Sequence, residues 1–216
     1  MLNPEDISDE WLQSISSPAP AILAELEENT RKEFPTGAHM LTGFSQGRLL
    51  SLISNLIKPK RVLEIGTFTG YGSLCLAEGL SESGLVVTLE NSVDHARFAE
   101  QHFDKSPFAG KIQVLTGKAM DSLNQLQETW DLAYLDADKS SNRAYLEKIW
   151  PSVRTGGLVL VDNVFSRGGI FKPYDDQRKF ERAVADLNHE LPQLFPDANV
   201  IVLPIRDGLT ILRKTS

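Results

Sequence analysis

The stretch that decides the fold is Arg61-Val62-Leu63-Glu64-Ile65-Gly66-Thr67-Phe68-Thr69-Gly70-Tyr71-Gly72. It begins with a short, mostly apolar run that predicts a buried β-strand. Glycines follow at positions 66, 70 and 72, a pattern typical of a tight turn from a strand into a helix. The stretch therefore predicts a βα unit of an open α/β sheet, in which ligands bind outside the carboxyl ends of the strands.

Strand and helix patterns continue to alternate after this unit. Four more apolar runs predict strands, at Leu85–Glu90, Ile112–Leu115, Leu132–Leu135 and Leu158–Val161. This alternation predicts a parallel sheet with helices on both faces. The last two predicted strands, Val200–Leu203 and Leu209–Leu212, are too close for a helical crossover and should form an antiparallel hairpin. The expected fold class is α/β: a Rossmann-like, doubly wound sheet of seven strands, mostly parallel.

The N-terminal part of the chain has a purely helical pattern. One helical pattern opens at Ser17-Pro18 and runs towards Phe34, and a second follows Thr42-Gly43 as far as Ile57. No repeat, low-complexity tract or long linker divides the sequence. We therefore predict one domain over residues 1–216, with residues 1–57 as an N-terminal helical extension.

The composition argues against several classes of protein. The chain has 22 Lys and Arg against 29 Asp and Glu, a net charge of −7, so we expect no nucleic-acid partner. The single cysteine, Cys75, prevents an intramolecular disulfide and a Cys-based zinc site. Residues 1–6 lack an apolar signal region, and no apolar run approaches the roughly 20 residues that cross a bilayer. We expect a cytoplasmic protein with no membrane partner.

The turn after the first strand indicates a cationic ligand without phosphate. The motif G-x-G-x-x-G would require a glycine where Phe68 stands, which disfavours a pyrophosphate-binding loop. Glu64 is expected to point into the mouth of the pocket, where it would repel a phosphate and attract a cation. Glu90 ends the second strand, where a carboxylate binds ribose hydroxyls. S-adenosylmethionine has an ammonium, a sulfonium and a ribose, and fits these features. A purely structural turn with two surface carboxylates explains the glycine spacing equally well.

Acidic residues follow the fourth and fifth predicted strands and indicate a metal site. Asp136 ends the fourth strand, and Asp162-Asn163 ends the fifth, so these side chains should meet at one sheet edge. Three oxygen ligands without His or Cys suit Mg²⁺, with Ca²⁺ or Mn²⁺ as alternatives. A vicinal diol could complete the coordination, and the neighbouring Lys139 could act as general base. The alternative is an Asp-rich loop with a solvated lysine.

These motifs are similar to those of the cation-dependent class I O-methyltransferases, the family of caffeoyl-CoA and catechol O-methyltransferases and their bacterial relatives. The resemblance extends from about Met40 to Lys214. It rests on Val62–Tyr71, Leu135–Lys139, Val161–Val164 and Asp207–Thr210. It implies methyl transfer from S-adenosylmethionine to a hydroxyl of a small aromatic diol, and it implies a homodimer.

The resemblance also implies a role for individual residues. The implied metal ligands are Asp136, Asp162 and Asn163, and the implied catalytic residues are Lys139 and Asp136. The implied cofactor-binding residues are Met40, Thr42, Glu64, Gly66, Thr67, Tyr71, Gly72, Glu90, Ala119 and Asp136.

Three positions depart from the family pattern. Gly72 stands where the family usually has Ser, Ser140–Arg143 replaces a loop that often contains Asn-Tyr, and Arg206 stands where a small residue is common. The last two are expected to border the acceptor, so we expect an atypical acceptor. Two alternative functions remain open: an NAD(P)-dependent Rossmann oxidoreductase, disfavoured by the glycine spacing, and a catalytically silent S-adenosylmethionine-binding module.

Overall fold

A computed structural model describes residues 8–216, and a seven-stranded sheet lies at its centre. The strands are β1 Arg61–Ile65, β2 Leu85–Glu90, β3 Ile112–Thr116, β4 Trp130–Leu135, β5 Val153–Asp162, β6 Ala198–Leu203 and β7 Leu209–Lys214. The α-helices are α1 Asp9–Ser14, α2 Ala21–Glu33, α3 Phe44–Ile57, α4 Tyr71–Ala77, α5 Val93–Phe103, α6 Ala119–Gln125, α7 Asn142–Ile149 and α8 Lys179–Leu194. None of the helices in this part of the chain is long and apolar enough to cross a membrane.

The strand order is β3-β2-β1-β4-β5-β7-β6, and β1 to β5 are parallel where they pair. Strand β7 pairs antiparallel with both β5 and β6, which confirms the predicted C-terminal hairpin. The order reverses between β1 and β4, which is the position where open α/β sheets bind ligands. In the ladder, Ile65 lies opposite both Leu89 and Leu135, so the turns after β1, β2 and β4 lie side by side.

The two faces of the sheet are covered by two sets of helices, because side chains alternate along each strand. Leu63 and Leu135 pack with α6, α7 and α8 on one face. Val62 and Leu132 pack with α2, α3, α4 and α5 on the other face. All four side chains are fully buried, as expected for central parallel strands. The predicted fold class is therefore confirmed.

Some element boundaries differ from the prediction. Strand β5 begins at Val153, five residues before the predicted start, because the register shifts opposite Trp130 and accommodates residues 154–157 as an irregular extension. The glycine pair at 156 and 157 resembles a loop in the sequence. Helix α1 has no counterpart in the sequence prediction, since six residues are too few to give a clear apolar period.

Candidate active site

A cavity of about 790 Å³ opens at the carboxyl ends of β1, β2, β4 and β5. The position agrees with the ligand site expected at the switch point of the sheet. All of the predicted site residues line this one cavity: Met40, Thr42, Glu64, Gly66, Thr67, Tyr71, Gly72, Glu90, Ala119, Asp136, Lys139, Asp162 and Asn163. The structure thus brings together residues whose individual roles remain predictions.

Gly66 allows the ends of β1 and β4 to lie unusually close. Its φ angle is +100°, and a Cβ atom at this position would clash with the backbone carbonyl of Asp136. The same approach lets the Asp136 amide donate a hydrogen bond of 2.8 Å to the carbonyl of Ile65. Only glycine combines this backbone angle with the absence of a side chain. The turn therefore joins the first strand end directly to the carboxylate at the end of β4.

Glu64 forms part of the floor of the cavity rather than its mouth, which corrects the sequence-based placement. Its side chain is 1% exposed because position 64 faces α4, and its Oε2 atom accepts hydrogen bonds from the hydroxyls of Ser73 and Thr88. Burial raises the pKa of Glu64 to about 8, and the two hydroxyl donors partly oppose this rise. A Cβ atom at position 72 would lie 2.5 Å from Glu64 Oε1, so Gly72 gives this carboxyl group room.

Glu90 is held at the end of β2 by backbone donors. Its two carboxylate oxygens accept hydrogen bonds from the amides of Phe68, at 2.7 Å, and Ser92, at 2.9 Å. His95 Nδ1 lies 3.6 Å from Glu90, and its ring packs edge-on against Phe68 with the ring centroids 4.8 Å apart. His95 also lines the cavity. No sequence pattern signals this contact, since a histidine on an amphipathic helix is usually a surface or packing residue.

Two segments flank this region. A short 3₁₀ turn, Ala38–Met40, leads to Thr42, which is buried, whereas Met40 is about half exposed. On the other side, Gly117 donates a backbone hydrogen bond of 2.8 Å to the carbonyl of Glu90, and α6 begins two residues later at Ala119. Both segments line the cavity together with the ends of β1 and β2, so the starts of α3 and α6 lie beside those strand ends.

Asp136 and Asp162 converge at the ends of β4 and β5. Asp136 Oδ1 accepts a hydrogen bond of 2.7 Å from Lys139 Nζ, and Asp162 Oδ1 accepts one of 2.7 Å from the amide of Asn163. The remaining oxygen of each carboxylate lies near the hydroxyl of Tyr134, at 3.3 Å for Asp136 and 3.1 Å for Asp162. The strand order in the sequence predicts that the carboxylates meet, but it does not predict the tyrosine between them.

The electrostatics of this cluster favour a cation. Burial raises the pKa of Asp136, the charge of Asp162 adds to the rise, and Lys139 opposes it. Two carboxylates and an Asn amide oxygen are hard donors that suit Mg²⁺, and a cation would relieve the repulsion between Asp136 and Asp162. Within residues 8–216, no three His, Cys, Asp or Glu side chains form a metal-binding group, so the third protein ligand would be Asn163.

Two of the departures from the family pattern, Arg206 and the loop Ser140–Arg143, differ in their position relative to the cavity. Arg206 lines the cavity, and its Nη1 donates a hydrogen bond of 3.2 Å to the carbonyl of Leu41. The loop Ser140–Arg143 does not line it: the two serine hydroxyls bind Asp138, and Arg143 forms ion pairs that direct it away from the site. Of these departures, Arg206 thus borders the cavity, whereas the loop Ser140–Arg143 does not.

Fold and site together define an α/β enzyme with its ligand cavity at the switch point of the sheet. The profile of the O-methyltransferase family matches residues 13–215. The catechol O-methyltransferase of Mycobacterium tuberculosis is 36% identical over 176 residues, which cover 81% of this chain and 78% of that protein. Caffeoyl-CoA O-methyltransferase 2 of Petunia hybrida is 31% identical over 207 residues, which cover 91% of this chain and 85% of that protein.

The chain therefore belongs to the O-methyltransferase family and is an O-methyltransferase. A solved structure supports the same conclusion. The O-methyltransferase of Streptomyces achromogenes involved in tomaymycin synthesis, in complex with SAM, superposes with a TM-score of 0.89. That protein is 26% identical, and the match covers 100% of both chains.

Proposed function

We propose that the protein transfers a methyl group from S-adenosylmethionine to one hydroxyl of a small aromatic vicinal diol, and that the transfer depends on a divalent cation. The observation that carries the proposal is the convergence of Asp136, Asp162 and Lys139 in the same cavity as Glu64 and Glu90. One end of the cavity thus offers two buried carboxyl groups for a cationic nucleoside, and the other offers a lysine beside two acids.

S-adenosylmethionine would occupy the end of the cavity formed by β1 and β2. The ammonium group would favour the ionised form of the buried Glu64 and pair with it. Glu90, already oriented by two backbone amides, would accept hydrogen bonds from the ribose. The complex of the Streptomyces achromogenes enzyme with SAM supports S-adenosylmethionine as the ligand of this fold. The methionine part would contact Gly66, Thr67, Tyr71 and Gly72. Met40 and Thr42 would cover the cofactor, Ala119 would lie beside the adenine, and Asp136 would lie beside the cofactor at its boundary with the metal site.

A divalent cation would be held by Asp136, Asp162 and Asn163. Mg²⁺ fits this oxygen donor set, and Ca²⁺ or Mn²⁺ could replace it. When bound, such a cation polarises coordinated hydroxyl groups and favours loss of their protons. Asn163 has a left-handed backbone, with φ +56°, which Asn tolerates better than most residues. This backbone angle follows directly after Asp162 and turns the chain at the strand end.

Lys139 would take the proton of the reacting hydroxyl as its neutral amine. The hydroxyl oxygen then attacks the methyl carbon in line, the new O–C bond forms, and the S–C bond breaks with its electron pair moving to sulfur. The products are the methyl ether and S-adenosylhomocysteine, and the proton stays on Lys139. Alignment of the two reactants in one cavity can contribute roughly 7–11 kcal/mol to lowering the barrier.

We also propose that the protein is a cytoplasmic homodimer without a nucleic-acid or membrane partner. The net charge of −7 disfavours binding to a phosphate backbone. Leu52 and Leu56 on α3 and Trp11 on α1 are exposed apolar side chains that would suit a contact between subunits. Membership of the O-methyltransferase family argues against a nicotinamide oxidoreductase. The acid–lysine cluster argues against a silent cofactor-binding module.

A methyl-transfer assay that compares vicinal diols with a single phenol tests the proposed reaction. Wild-type protein with Mg²⁺ is given methyl-labelled S-adenosylmethionine and catechol, caffeate or phenol. We expect labelled methyl ethers from the two vicinal diols and little product from phenol, which has a single hydroxyl. Equal transfer to phenol would contradict the diol proposal. Binding of S-adenosylhomocysteine without transfer to any acceptor would favour the silent module.

A further inference from the structure

The hydroxyl of Tyr134 lies between the two carboxylates at the ends of β4 and β5. Tyr134 is 1% exposed and is two residues from Asp136 along the chain. Its Oη atom is 3.1 Å from Asp162 Oδ2 and 3.3 Å from Asp136 Oδ2. One hydroxyl thus contacts oxygen atoms that come from two neighbouring strands.

Gln46 holds this hydroxyl from the opposite side. Gln46 is on α3, is 1% exposed, and its Nε2 donates a hydrogen bond of 2.8 Å to Tyr134 Oη. A tyrosine hydroxyl has one proton to donate and also accepts hydrogen bonds. Because that proton is directed towards the carboxylates, the oxygen is left to accept from Gln46. The helix therefore orients the hydroxyl, and the hydroxyl in turn orients the two acids.

Packing alone does not explain a tyrosine and a glutamine at these positions. A Phe and a Met of similar size could fill the same volume without burying polar atoms, which costs free energy unless each atom is paired. The other oxygen of Asp136 is bound by Lys139, and that of Asp162 by the Asn163 amide. Tyr134 is thus the one side chain that contacts both carboxylates among the hydrogen bonds of the described residues.

We propose that Tyr134, oriented by Gln46, is a positioning residue that sets the spacing and orientation of Asp136 and Asp162 for a divalent cation. The inference rests on the proposed function, because it takes both carboxylates as ligands. Groups that hydrogen-bond to ligating carboxylates orient them, and losing such a group typically lowers metal affinity or activity about 10–100-fold. Neither Tyr134 nor Gln46 needs to touch the cation for this effect.

Calorimetric titration of Mg²⁺ into protein saturated with S-adenosylhomocysteine tests the role directly. We expect Tyr134→Phe to weaken Mg²⁺ binding about 10-fold or more. Affinity for S-adenosylhomocysteine, measured without metal, should stay within about 2-fold, because Tyr134 contacts the metal end. Tyr174→Phe is the matched control: it removes the hydroxyl of an exposed tyrosine outside the cavity and should leave both affinities unchanged.

Gln46→Met provides a second and independent variant. It removes the donor to Tyr134 and should weaken Mg²⁺ binding in the same direction but less. Since both residues act through one hydroxyl, the double variant should bind Mg²⁺ no worse than Tyr134→Phe within about 2-fold. Additive losses in the double variant would indicate two separate structural effects and overturn the positioning role.

The outcomes separate this inference from the proposed function. If the wild type binds no Mg²⁺, the metal proposal fails and the positioning role fails with it. If the wild type binds Mg²⁺ and Tyr134→Phe binds it equally well, only the positioning role is overturned. If Tyr134→Phe does not fold, Gln46→Met decides alone, and unchanged Mg²⁺ affinity in that variant overturns the inference.

Discussion

The cofactor end and the metal end of the cavity differ in how their carboxylates are held. At the cofactor end, Glu64 accepts hydrogen bonds from α4 and β2, and Glu90 accepts separate ones from the turns after β1 and β2. At the metal end, Asp136 and Asp162 share the hydroxyl of Tyr134. The carboxylates of the cofactor end are thus held separately, whereas those of the metal end share one hydroxyl, which Gln46 on α3 orients. We therefore expect changes at the metal end to leave cofactor binding largely intact.

The largest expected effect is on turnover when the proposed general base is removed. Lys139→Met should lower kcat about 10²–10⁴-fold, which is the usual contribution of a positioned acid or base. Affinity for S-adenosylhomocysteine should change little, because Lys139 contacts Asp136 rather than the cofactor end. Steady-state kinetics at several pH values and calorimetry measure the two effects. Lys148→Met, at an exposed position on α7, is the control. Full turnover by Lys139→Met would contradict the role of Lys139 as general base.

Gly66 tests a place where the two ends touch, because its backbone packs against that of Asp136. Gly66→Ala should lower the free energy of unfolding by about 2–5 kcal/mol, because it combines backbone strain with a clash against Asp136. It should also weaken both cofactor and Mg²⁺ binding. Gly110 likewise has positive φ, but a Cβ atom there would have no neighbour within 4 Å, so Gly110→Ala should cost only about 1–2 kcal/mol. Equal losses in denaturant unfolding would show that the close approach at Gly66 is unimportant.

Glu64 gives the cofactor end a pH-dependent stability. Its pKa in the folded protein is about 8, above the ordinary 4.5, so between these values the folded state binds a proton that the unfolded state releases. The free energy of unfolding should therefore fall as pH rises from 5 to 8, by at most about 1.4 kcal/mol per pH unit. Glu64→Gln, which stays neutral, should show a shallower fall. If the free energy of unfolding changed with pH in the same way for the two cofactor-free proteins, the raised pKa of Glu64 would be contradicted.

The smallest expected effect concerns Arg206 at the acceptor side. Its φ angle is +49°, a left-handed angle that glycine adopts without strain, and its guanidinium binds the Leu41 carbonyl. Arg206→Gly should change the KM for the acceptor several-fold while leaving stability within about 1 kcal/mol, since relief of strain offsets the added chain entropy. Unchanged KM values across a set of acceptors would show that Arg206 does not contribute to their selection.

The features predicted correctly from the sequence depend on neighbouring residues or on the order of the elements along the chain. The run at residues 61–65 and the glycines after it specify β1 and its turn, because burial and positive φ leave a local signature. The meeting of the acidic residues after β4 and β5 is predictable because parallel strands place their carboxyl ends at one edge. The first feature follows from adjacent residues, and the second follows from the order of the elements.

The features missed depend on contacts that no local pattern encodes. Gln46 and Tyr134 are 88 residues apart, and each alone resembles an ordinary core position. The loop Ser140–Arg143 follows Lys139 in the sequence, yet it does not line the cavity, and Ser140 and Ser141 bind Asp138. Glu64 is expected at the cavity mouth, although strand alternation buries it beneath α4. Side-chain direction, rather than sequence position, decides each of these cases.

The most direct measurement removes the metal and follows both methyl transfer and cofactor binding in the same sample. Methyl transfer to catechol and binding of S-adenosylhomocysteine are measured with Mg²⁺, after EDTA, and after Mg²⁺ is restored in excess. We predict that EDTA abolishes transfer, that added Mg²⁺ restores it, and that S-adenosylhomocysteine binds with nearly the same affinity throughout. Transfer that persists in EDTA would contradict the metal-dependent mechanism. Loss of S-adenosylhomocysteine binding in EDTA would contradict the separation of the two ends.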